Sequence, residues 1–359
     1  MPPFTLSDLK NAIPAHCFEP TLLESYSHLA WNIVQCAMLA AAFVWLDSRL
    51  PWALWIPAYL LYTWVQGVLF TGVWVIGHEC GHGGFAKSKM VNDVTGYFLH
   101  TMLYVPYFSW QRSHSNHHHY TNNLAKDEVF VPPKACKETA AKEKQNPSHK
   151  RNPIDVVFNL TLMLTFGWPL YLIKNATGHA SDETMSHFLP SSPIFKPKDY
   201  YKVVFSTASL FMWTAVLVYL GTFVGHLQLF KLYVPALFVN NAYLVAITFL
   251  QHTDSKLPHY DDEDWTWLRG ALCTVDRTMG RWLDTKLHYI HSTHVCHHVF
   301  SRIPFYRAEE ATRAMIPVLG EYYIKDDSSF LKTLYLNFRD CNYLQDTKGV
   351  AWWLEALSD

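Results

Sequence analysis

Charged residues are scarce in this chain. Asp, Glu, Lys and Arg account for 16% of its 359 residues, whereas they make up roughly a quarter of an average soluble protein. The formal charge of -1 provides no broad basic field, so we expect no nucleic-acid partner. Hydrophobic residues account for 50% of the chain, which is more than a single soluble core requires. These proportions predict an integral membrane protein.

The cysteines also lack a pattern that would indicate a scaffold. The chain has 7 cysteines and no C-x-x-C pair, which argues against a disulfide framework and against a thiolate zinc site. Residues 1–20 contain acidic residues and no apolar run, so neither a secretory signal nor a transit peptide is predicted there. Internal apolar segments would therefore drive membrane insertion.

Four uncharged apolar segments are long enough to cross a bilayer. These predicted spans are Leu29–Leu46, Pro51–Gly77, Val203–Gly225 and Leu232–Leu250. A short polar turn containing His226, Gln228 and Lys231 is expected between the last two. The segments Val94–Trp110 and Val156–Ile173 are shorter and contain Gly, Pro, His or Asn. We expect them to form embedded or interfacial helices that do not cross.

Three short stretches are rich in histidine. They are HECGH at 78–82, HSNHHH at 114–119 and HSTHVCHH at 291–298. The last two each contain H-x-x-H-H, and positions i, i+3 and i+4 of a helix lie on one face. Each motif is therefore predicted to direct two or three imidazoles to a single place. With four spans, all three stretches lie on the same side of the membrane.

The positions of basic residues predict which side this is, because cytoplasmic loops are enriched in Lys and Arg. Many lie between 87 and 151, whereas the opposite loops offer Arg49 and Lys231. The histidines and both termini are therefore predicted to be cytosolic. We expect an all-α integral membrane protein with four transmembrane helices and interfacial helices. Its predicted parts are a cytosolic segment at 1–28, a transmembrane core at 29–250 and a cytosolic helical cap at 251–359.

The histidine pattern leaves several kinds of metal site open. HECGH alone matches the H-E-x-x-H signature of zinc proteases. However, HECGH and the two H-x-x-H-H motifs supply eight histidines, whereas one zinc ion binds four ligands. Two metal ions are therefore predicted. Imidazole binds iron, zinc and copper, and paired metals serve hydrolysis or oxygen chemistry. Metal binding without catalysis is a further alternative.

The order of the three stretches, together with the phrases between and after them, resembles the membrane-bound fatty acyl desaturases, and in particular the fungal and plant oleate 12-desaturase group. The phrases are YVPYFSW (104–110), LQHTD (250–254), LPHYD (257–261), DWTWLRGAL (264–272) and SRIPFYRAEEAT (301–312). The likeness extends from about Phe4 to beyond Glu321. It implies two iron ions, molecular oxygen as the oxidant, and electrons from cytochrome b5 and its NADH-dependent reductase. It also implies a tunnel for the acyl chain and a location in the endoplasmic reticulum membrane.

The resemblance further implies which residues bind iron. The implied ligands are His78, His82, His114, His117, His118, His294, His297 and His298. His252, in LQHTD, corresponds to an additional histidine that completes the iron shell in this superfamily. Glu79 is then expected to support a ligand rather than to act as a protease base. His119 and His291 adjoin the motifs but break their pattern, so we expect both to lie off the metal.

Two positions depart from the oleate group. Gly77 precedes HECGH where alanine is common, and His119-Tyr120-Thr121 replaces small polar residues. Glycine at this position occurs in divergent relatives that make acetylenic, conjugated or hydroxylated products. The resemblance thus predicts a desaturase that acts at position 12 of an oleoyl lipid to give a linoleoyl lipid. A divergent acetylenase, conjugase or hydroxylase on the same scaffold is the alternative.

Overall fold

Helices account for most of the molecule in a computed structural model of the chain, which describes residues 2–145, 147, 151–179 and 182–354. The helices are α1 (Leu6–Ala12), α2 (Leu22–Asp47), α3 (Trp52–His82), α4 (Lys89–Thr101), α5 (Tyr107–Tyr120), α6 (Lys137–Gln145), α7 (Pro153–Lys174), α8 (Tyr200–Val224), α9 (His226–His252), α10 (Trp267–Ala271), α11 (Arg281–Lys286), α12 (His294–Val299), α13 (Phe305–Leu319) and α14 (Phe330–Asp340). Short strands pair as β1 (His259–Tyr260) with β4 (Val350–Ala351) and as β2 (Asp276–Arg277) with β3 (Lys325–Asp326). The prediction of a mainly helical protein is confirmed, with these strands as an addition.

All four predicted spans coincide with long apolar helices, namely α2, α3, α8 and α9, with only Pro51 and Gly225 just outside the helix ends. The polar turn expected between the last two was wrong in its extent, because His226, Gln228 and Lys231 lie inside the first turns of α9. The chain reverses at Gly225, whose φ of 87° is accessible to glycine at no steric cost. Glycine alone therefore makes the turn, and α9 begins directly after it.

The ends of α3 and α9 meet because the two helices pack closely. Gly67 of α3 lies against Ala236 and Val239 of α9, and a Cβ atom at residue 67 would come within 2.4 Å of the Val239 side chain. A larger residue would push the helices apart. The close packing brings His82, the last residue of α3, to the same end of the molecule as His252, the last residue of α9.

The expected single helix over Val94–Trp110 is wrong, because two helices occupy this region. α4 ends at Thr101 and α5 begins at Tyr107. Between them Tyr104 adopts a left-handed φ of 57°, and Pro106 has no N–H to continue a helical ladder. The break starts α5 in a new direction, and this helix carries the second histidine stretch.

α7 is longer than expected, with 22 residues, and is a fifth helix long and apolar enough to cross a membrane. Both of its ends are nevertheless held near the histidines. Before its start, the Arg151 guanidinium donates to the Arg339 carbonyl of α14. After its end, the Asn175 side chain donates to the Glu128 carbonyl, beside the loop that contacts His117. Hydrogen bonds thus tie both ends of α7 to other segments of the chain.

The C-terminal third of the chain packs over the histidine end of the bundle. Leu9 of α1 and Cys17 are buried in a cluster that includes Val295 of α12 and Met315 of α13. The N-terminal segment is thus part of the same hydrophobic core as the C-terminal helices. Residues 355–359, the end of the predicted cap, lie outside the described residues.

Candidate metal centre

The nine predicted ligands converge on one buried site. His78 and His82 lie in the last turns of α3, which ends at Gly83 with a left-handed φ of 78°. The second stretch supplies three histidines from α5, and the third supplies three from the short helix α12. His252 comes from the end of α9. Ring centroids link all nine into a continuous set of contacts of 4.1 to 6.0 Å.

The histidines divide into two groups. The first group is His78, His82, His114, His118 and His297, and one nitrogen of each lies within 4.8 Å of the others. His117, His252 and His298 form a second such group. His294 joins the second group, because its Nε2 lies 3.2 Å from Nε2 of His252. The structure thus offers one set of five imidazoles and one set of four.

Each H-x-x-H-H motif directs two of its three imidazoles to one group, as predicted, and the third to the other group. In α5, His114 and His118 belong to the first group and His117 to the second. In α12, His294 and His298 belong to the second group and His297 to the first. Successive helical residues are about 100° apart, so the last two histidines of the motif cannot face the same point. Each motif spans the boundary between the two groups.

Several ring nitrogens in this site lack a hydrogen-bond partner among the described residues that would compensate for their burial. Both nitrogens of His118 and Nε2 of His297 and His298 are buried without a hydrogen bond among the described residues. Nε2 of His78 lies 2.8 Å from Nε2 of His114 and 3.3 Å from Nε2 of His82, although one ring nitrogen has a single proton or a single lone pair for such contacts. Buried polar atoms normally have partners, and metal ions would satisfy these lone pairs. The residues present therefore fit a metal centre.

Burial keeps these imidazoles neutral, as metal binding requires. It holds the pKa of His118 and that of His298 well below the ordinary value. It lowers the pKa of His294 to about 3. Neutral ligands of this kind leave the positive charge on the metal.

Oxygen atoms outside the histidine set hold several rings in place. The Asp127 carboxylate accepts from Nδ1 of His117 at 2.9 Å, and the Ile290 carbonyl accepts from Nδ1 of His294 at 3.2 Å. Glu79 is buried, with one oxygen 3.2 Å from Nδ1 of His78 and 3.7 Å from Nδ1 of His297. Such contacts fix the nitrogen that faces a metal.

Sequence reasoning missed Asp127. It lies in the polar stretch NNLAKDEVF, outside every motif, and no periodicity distinguishes it from the neighbouring Glu128. The loop folds back so that Asp127 is buried, with 1% of its surface exposed, and Asp127 also accepts from the backbone N–H of Val129. The only signal in the sequence is that an acidic residue follows the second stretch within ten residues.

Gly77, the position that departs from the oleate group, lies against His100. A Cβ atom there would come within 2.4 Å of Cδ2 of His100. The His100 ring is fixed between Trp74 and Trp110, and its Nε2 donates to the Trp74 carbonyl at 3.1 Å. Trp74 and Trp110 in turn stack on His78 and His114, respectively. The glycine thus makes room for a ring that supports the walls of the site.

The two adjoining histidines lie outside both groups, as expected. His119 is exposed on α5. His291 is buried, and its Nε2 lies 2.7 Å from the Asp284 carboxylate. The backbone of His291 also contacts two other segments, because its carbonyl accepts hydrogen bonds from the N–H of Arg277 and from the side chain of Gln251. Its role is structural.

An apolar cavity of about 150 Å³ adjoins the histidines on the side of the bundle. Five of the nine histidines, including His78 and His252, form its inner end. The rest of its wall consists mainly of apolar residues from α3, α7 and α9. On the opposite side, two open polar grooves reach the histidines, one at His82 and one at His118 and His298. The site is therefore reached by apolar surface from one side and by polar surface from the other.

Comparison with known proteins agrees with this arrangement. The sequence profile of the family described as fatty acid desaturase matches residues 26–330. This chain belongs to the fatty acid desaturase family. It is 41% identical to the Delta(12) fatty acid desaturase of Mortierella isabellina, with 98% of this chain and 91% of the relative covered. It is 42% identical to the omega-6 fatty acid desaturase, endoplasmic reticulum isozyme 1, of Glycine max, with 98% and 90% covered.

The name of a third relative of this desaturase includes a bond geometry, E. The acyl-lipid (9+3)-(E)-desaturase of Dimorphotheca sinuata is 40% identical, with 98% of this chain and 92% of the relative covered. Membership of the family excludes the zinc protease suggested by HECGH alone. The chain is an enzyme that desaturates fatty acyl chains.

Proposed function

We propose that this enzyme inserts a double bond at position 12 of an oleoyl lipid and so produces a linoleoyl lipid. The relatives named for this position or for the omega-6 position align over nearly the whole chain at about 41% identity. The observation that carries the proposal is the meeting of the histidines with the inner end of an apolar cavity, which can hold a methylene segment beside a metal centre. Two hydrogen atoms from the chain, two protons and two electrons from a donor would reduce one O2 to two water molecules.

Each histidine group would hold one iron ion. His78, His82, His114, His118 and His297 would bind the first, and His117, His252, His294 and His298 the second. When bound, iron supplies the oxidising power needed to remove hydrogen from an unactivated methylene group. The side chains of this enzyme orient the ligand rings, keep them neutral and exclude water from the apolar end of the site. Zinc and copper are the alternatives that metal analysis of the purified protein would reveal.

The proposed electron donor is cytochrome b5, which would receive its electrons from its NADH-dependent reductase. Support comes from the polar groove of about 570 Å³ that ends at His82. Three basic residues, Lys87, Lys89 and Arg302, line this groove together with Glu19 and Asp93. The excess of positive charge suits an acidic partner.

The membrane arrangement proposed has four crossings, with the histidine end and both termini in the cytosol and the enzyme in the endoplasmic reticulum. One named relative is an endoplasmic reticulum isozyme. The tethering of α7 at both ends supports a position along the membrane surface, so α2, α3, α8 and α9 would be the crossing helices. In this arrangement the chain crosses the membrane twice between α5 and the end of α9. His252 therefore lies on the same side as the histidines of α5, in agreement with its contact with His117.

The test is expression in a yeast that makes oleate but no linoleate, beside a His297→Ala control. We expect a new dienoic acid with a double bond at position 12, and its loss in the control, when fatty acids are identified by mass spectrometry. Bond geometry should be determined in the same samples, because a relative of similar identity is named for an E bond. A triple-bonded, conjugated or hydroxylated product would contradict the proposal in favour of the divergent alternative.

A further inference from the structure

The cavity beside the histidines is too small to enclose an acyl chain. Its volume of about 150 Å³ is comparable to that of a protein cavity that holds a benzene molecule. A fatty acyl chain has several times as many carbon atoms as benzene. Most of a substrate chain must therefore extend out of the cavity, through some part of its wall.

The inner wall of the cavity is closed. Trp74, Val75, Trp110, Leu244 and Ile247 line it, and each has 5% or less of its surface exposed. These residues belong to α3, α5 and α9 and pack in the main hydrophobic core. A chain could pass here only if the core of the protein came apart.

The outer wall is different. It has two parts. The first contains Val129, Phe130, Thr177 and Phe249, and hydrogen bonds of Thr177 to Val129 and Val131 hold it together. The second part, which we call the seam, consists of Met163 and Gly167 of α7 and Val245 and Thr248 of α9. Thr248 is exposed and the other three are partly exposed. The Thr248 hydroxyl donates to the Leu244 carbonyl at 2.8 Å, so it requires no partner from an apolar neighbour.

The surface around the seam is suited to lipid. On α7, the neighbouring Phe166 and Leu170 are 50% and 42% exposed, and α7 has the length and composition of a membrane helix. The two polar grooves on the other side of the histidines carry several basic residues, including Lys87, Arg112 and Lys196. An acyl chain that came through those grooves would leave an apolar environment for a charged one.

α7 is also suited to move at the seam. A Cβ atom at Gly167 would lie 3.2 Å from a methyl group of Val245, so the two helices touch where glycine removes the side chain. Pro169, two residues later, lies inside α7 and removes one hydrogen bond of the helix. Proline is among the usual causes of a helix kink. A small bend of α7 at this point would widen the seam without disturbing the helices that carry the histidines.

We propose that the acyl chain of a bilayer lipid reaches the histidines sideways, between α7 and α9, and that Gly167 and Val245 form the gate. This inference rests on the proposed function, because it concerns the route of the substrate to the same site. It assigns the substrate to the membrane rather than to a soluble carrier that would approach through the polar grooves. Gly167 sets how closely the seam shuts when no substrate is present.

A reversible cross-link tests the gate. The approach of residues 167 and 245 is close enough for the Gly167→Cys/Val245→Cys pair to form a disulfide. Membranes containing the double variant would be oxidised with diamide and then reduced with dithiothreitol, and the formation of dienoic lipid would be measured in each state. The two single variants serve as matched controls and receive the same oxidation and reduction. Any effect of oxidising the native cysteines would appear in them as well.

We expect oxidation to slow the double variant by at least about tenfold, as closure of a substrate gate should, and reduction to restore its rate. Oxidation should change the rates of the two single variants little. Full activity of the oxidised double variant, with the disulfide verified by mass spectrometry, would overturn the gate. Recovery on reduction shows that the protein is folded.

A second measurement does not depend on turnover. Membranes containing the unoxidised enzyme would be irradiated with a phosphatidylcholine that carries a diazirine in its acyl chain. We expect label on the tryptic peptides 152–174 and 232–256, which contain the seam, and loss of that label in the cross-linked variant. Label confined to the peptides of the polar grooves would contradict lateral access. If the seam is labelled but the unmodified enzyme makes no dienoic lipid, the proposed function fails and the gate stands.

Discussion

At the scale of single residues, the candidate metal centre depends on groups that do not bind metal. Asp127 is the clearest example, because its carboxylate holds Nδ1 of His117 and leaves Nε2 of that ring facing His252. Glu79 plays a similar part for His78 in the first group. These carboxylates come from different segments of the chain and are buried with the rings they contact.

Replacing Asp127 with asparagine should weaken metal binding. The amide keeps the shape of the side chain but loses the charge that strengthens the hydrogen bond to His117. We expect a decrease of about 10- to 100-fold in iron affinity or activity, measured by metal analysis after dialysis against graded chelator. Asp327→Asn, at an exposed acidic residue paired with Lys325, is the matched control. Unchanged metal content in Asp127→Asn would refute the role assigned to this carboxylate.

Gly77 and His100 should be energetically coupled. In Gly77→Ala the new methyl group must displace the His100 ring, and such overpacking costs about 1–3 kcal/mol. The better helix propensity of alanine offsets about 1 kcal/mol of this. We therefore expect a net loss of about 1 kcal/mol in Gly77→Ala, and no loss when the same change is made in a His100→Ala background. Thermal unfolding of the four proteins of this cycle would measure the coupling, and equal effects of the methyl in both backgrounds would exclude it.

At the scale of elements, α12 is the critical helix. It has only 6 residues but carries three of the nine histidines and serves both groups. Its first turn is held from outside, because the Asp276 carboxylate of β2 accepts from the N–H of Val295 at 2.8 Å. The hydroxyl of Tyr323 donates to the second oxygen of the same carboxylate at 2.8 Å. A short helix of this kind gains its order from such contacts.

Asp276→Ala should loosen α12 and reduce the amount of bound iron. The change leaves a buried backbone N–H without a partner, at a cost of about 1–3 kcal/mol. Asp276→Asn retains an acceptor oxygen and should keep most of the metal, and it serves as the matched control. Metal content and thermal unfolding would be measured in parallel. If Asp276→Ala binds as much iron as Asp276→Asn, the position of α12 does not depend on this contact.

At the scale of the whole molecule, the metal centre joins parts that are far apart in the chain. α3, α5, α9 and α12 each contribute histidines, and α12 packs in the hydrophobic cluster that includes α1 and α13. Metal bound between them should therefore stabilise the entire fold. Seven of the nine histidines are buried, so the protein without metal keeps polar atoms that lack partners.

Removal of iron by a chelator should lower the midpoint of thermal unfolding in detergent. A ligand that binds only the folded state at 100 times its Kd stabilises that state by about 2.7 kcal/mol. Restoring iron should recover the midpoint, whereas magnesium, which prefers oxygen ligands, should not. An unfolding midpoint that is unaffected by chelation, with metal loss verified, would show that the histidine groups form without metal.

The sequence by itself determined the features that depend on local pattern. Apolar length was enough to find α2, α3, α8 and α9, because a helix must satisfy its own backbone groups inside a membrane. The three histidine stretches, with LQHTD, identified all nine residues that converge, through their resemblance to a known family. The spacing of H-x-x-H-H also required helices, since only a helix brings i and i+4 together.

Only the tertiary structure decided how these parts combine. The break at Pro106 set the direction of α5, and the packing of α12 then divided the histidines into sets of five and four. Asp127, the tethers of α7 and the seam at Gly167 also depend on contacts between residues distant in sequence. Local periodicity fixes which face of a helix a residue occupies, but the partner of that face is chosen by packing among many helices. For this reason the residues of the candidate metal centre were predictable, whereas the pairing of histidines from different helices within each group was not.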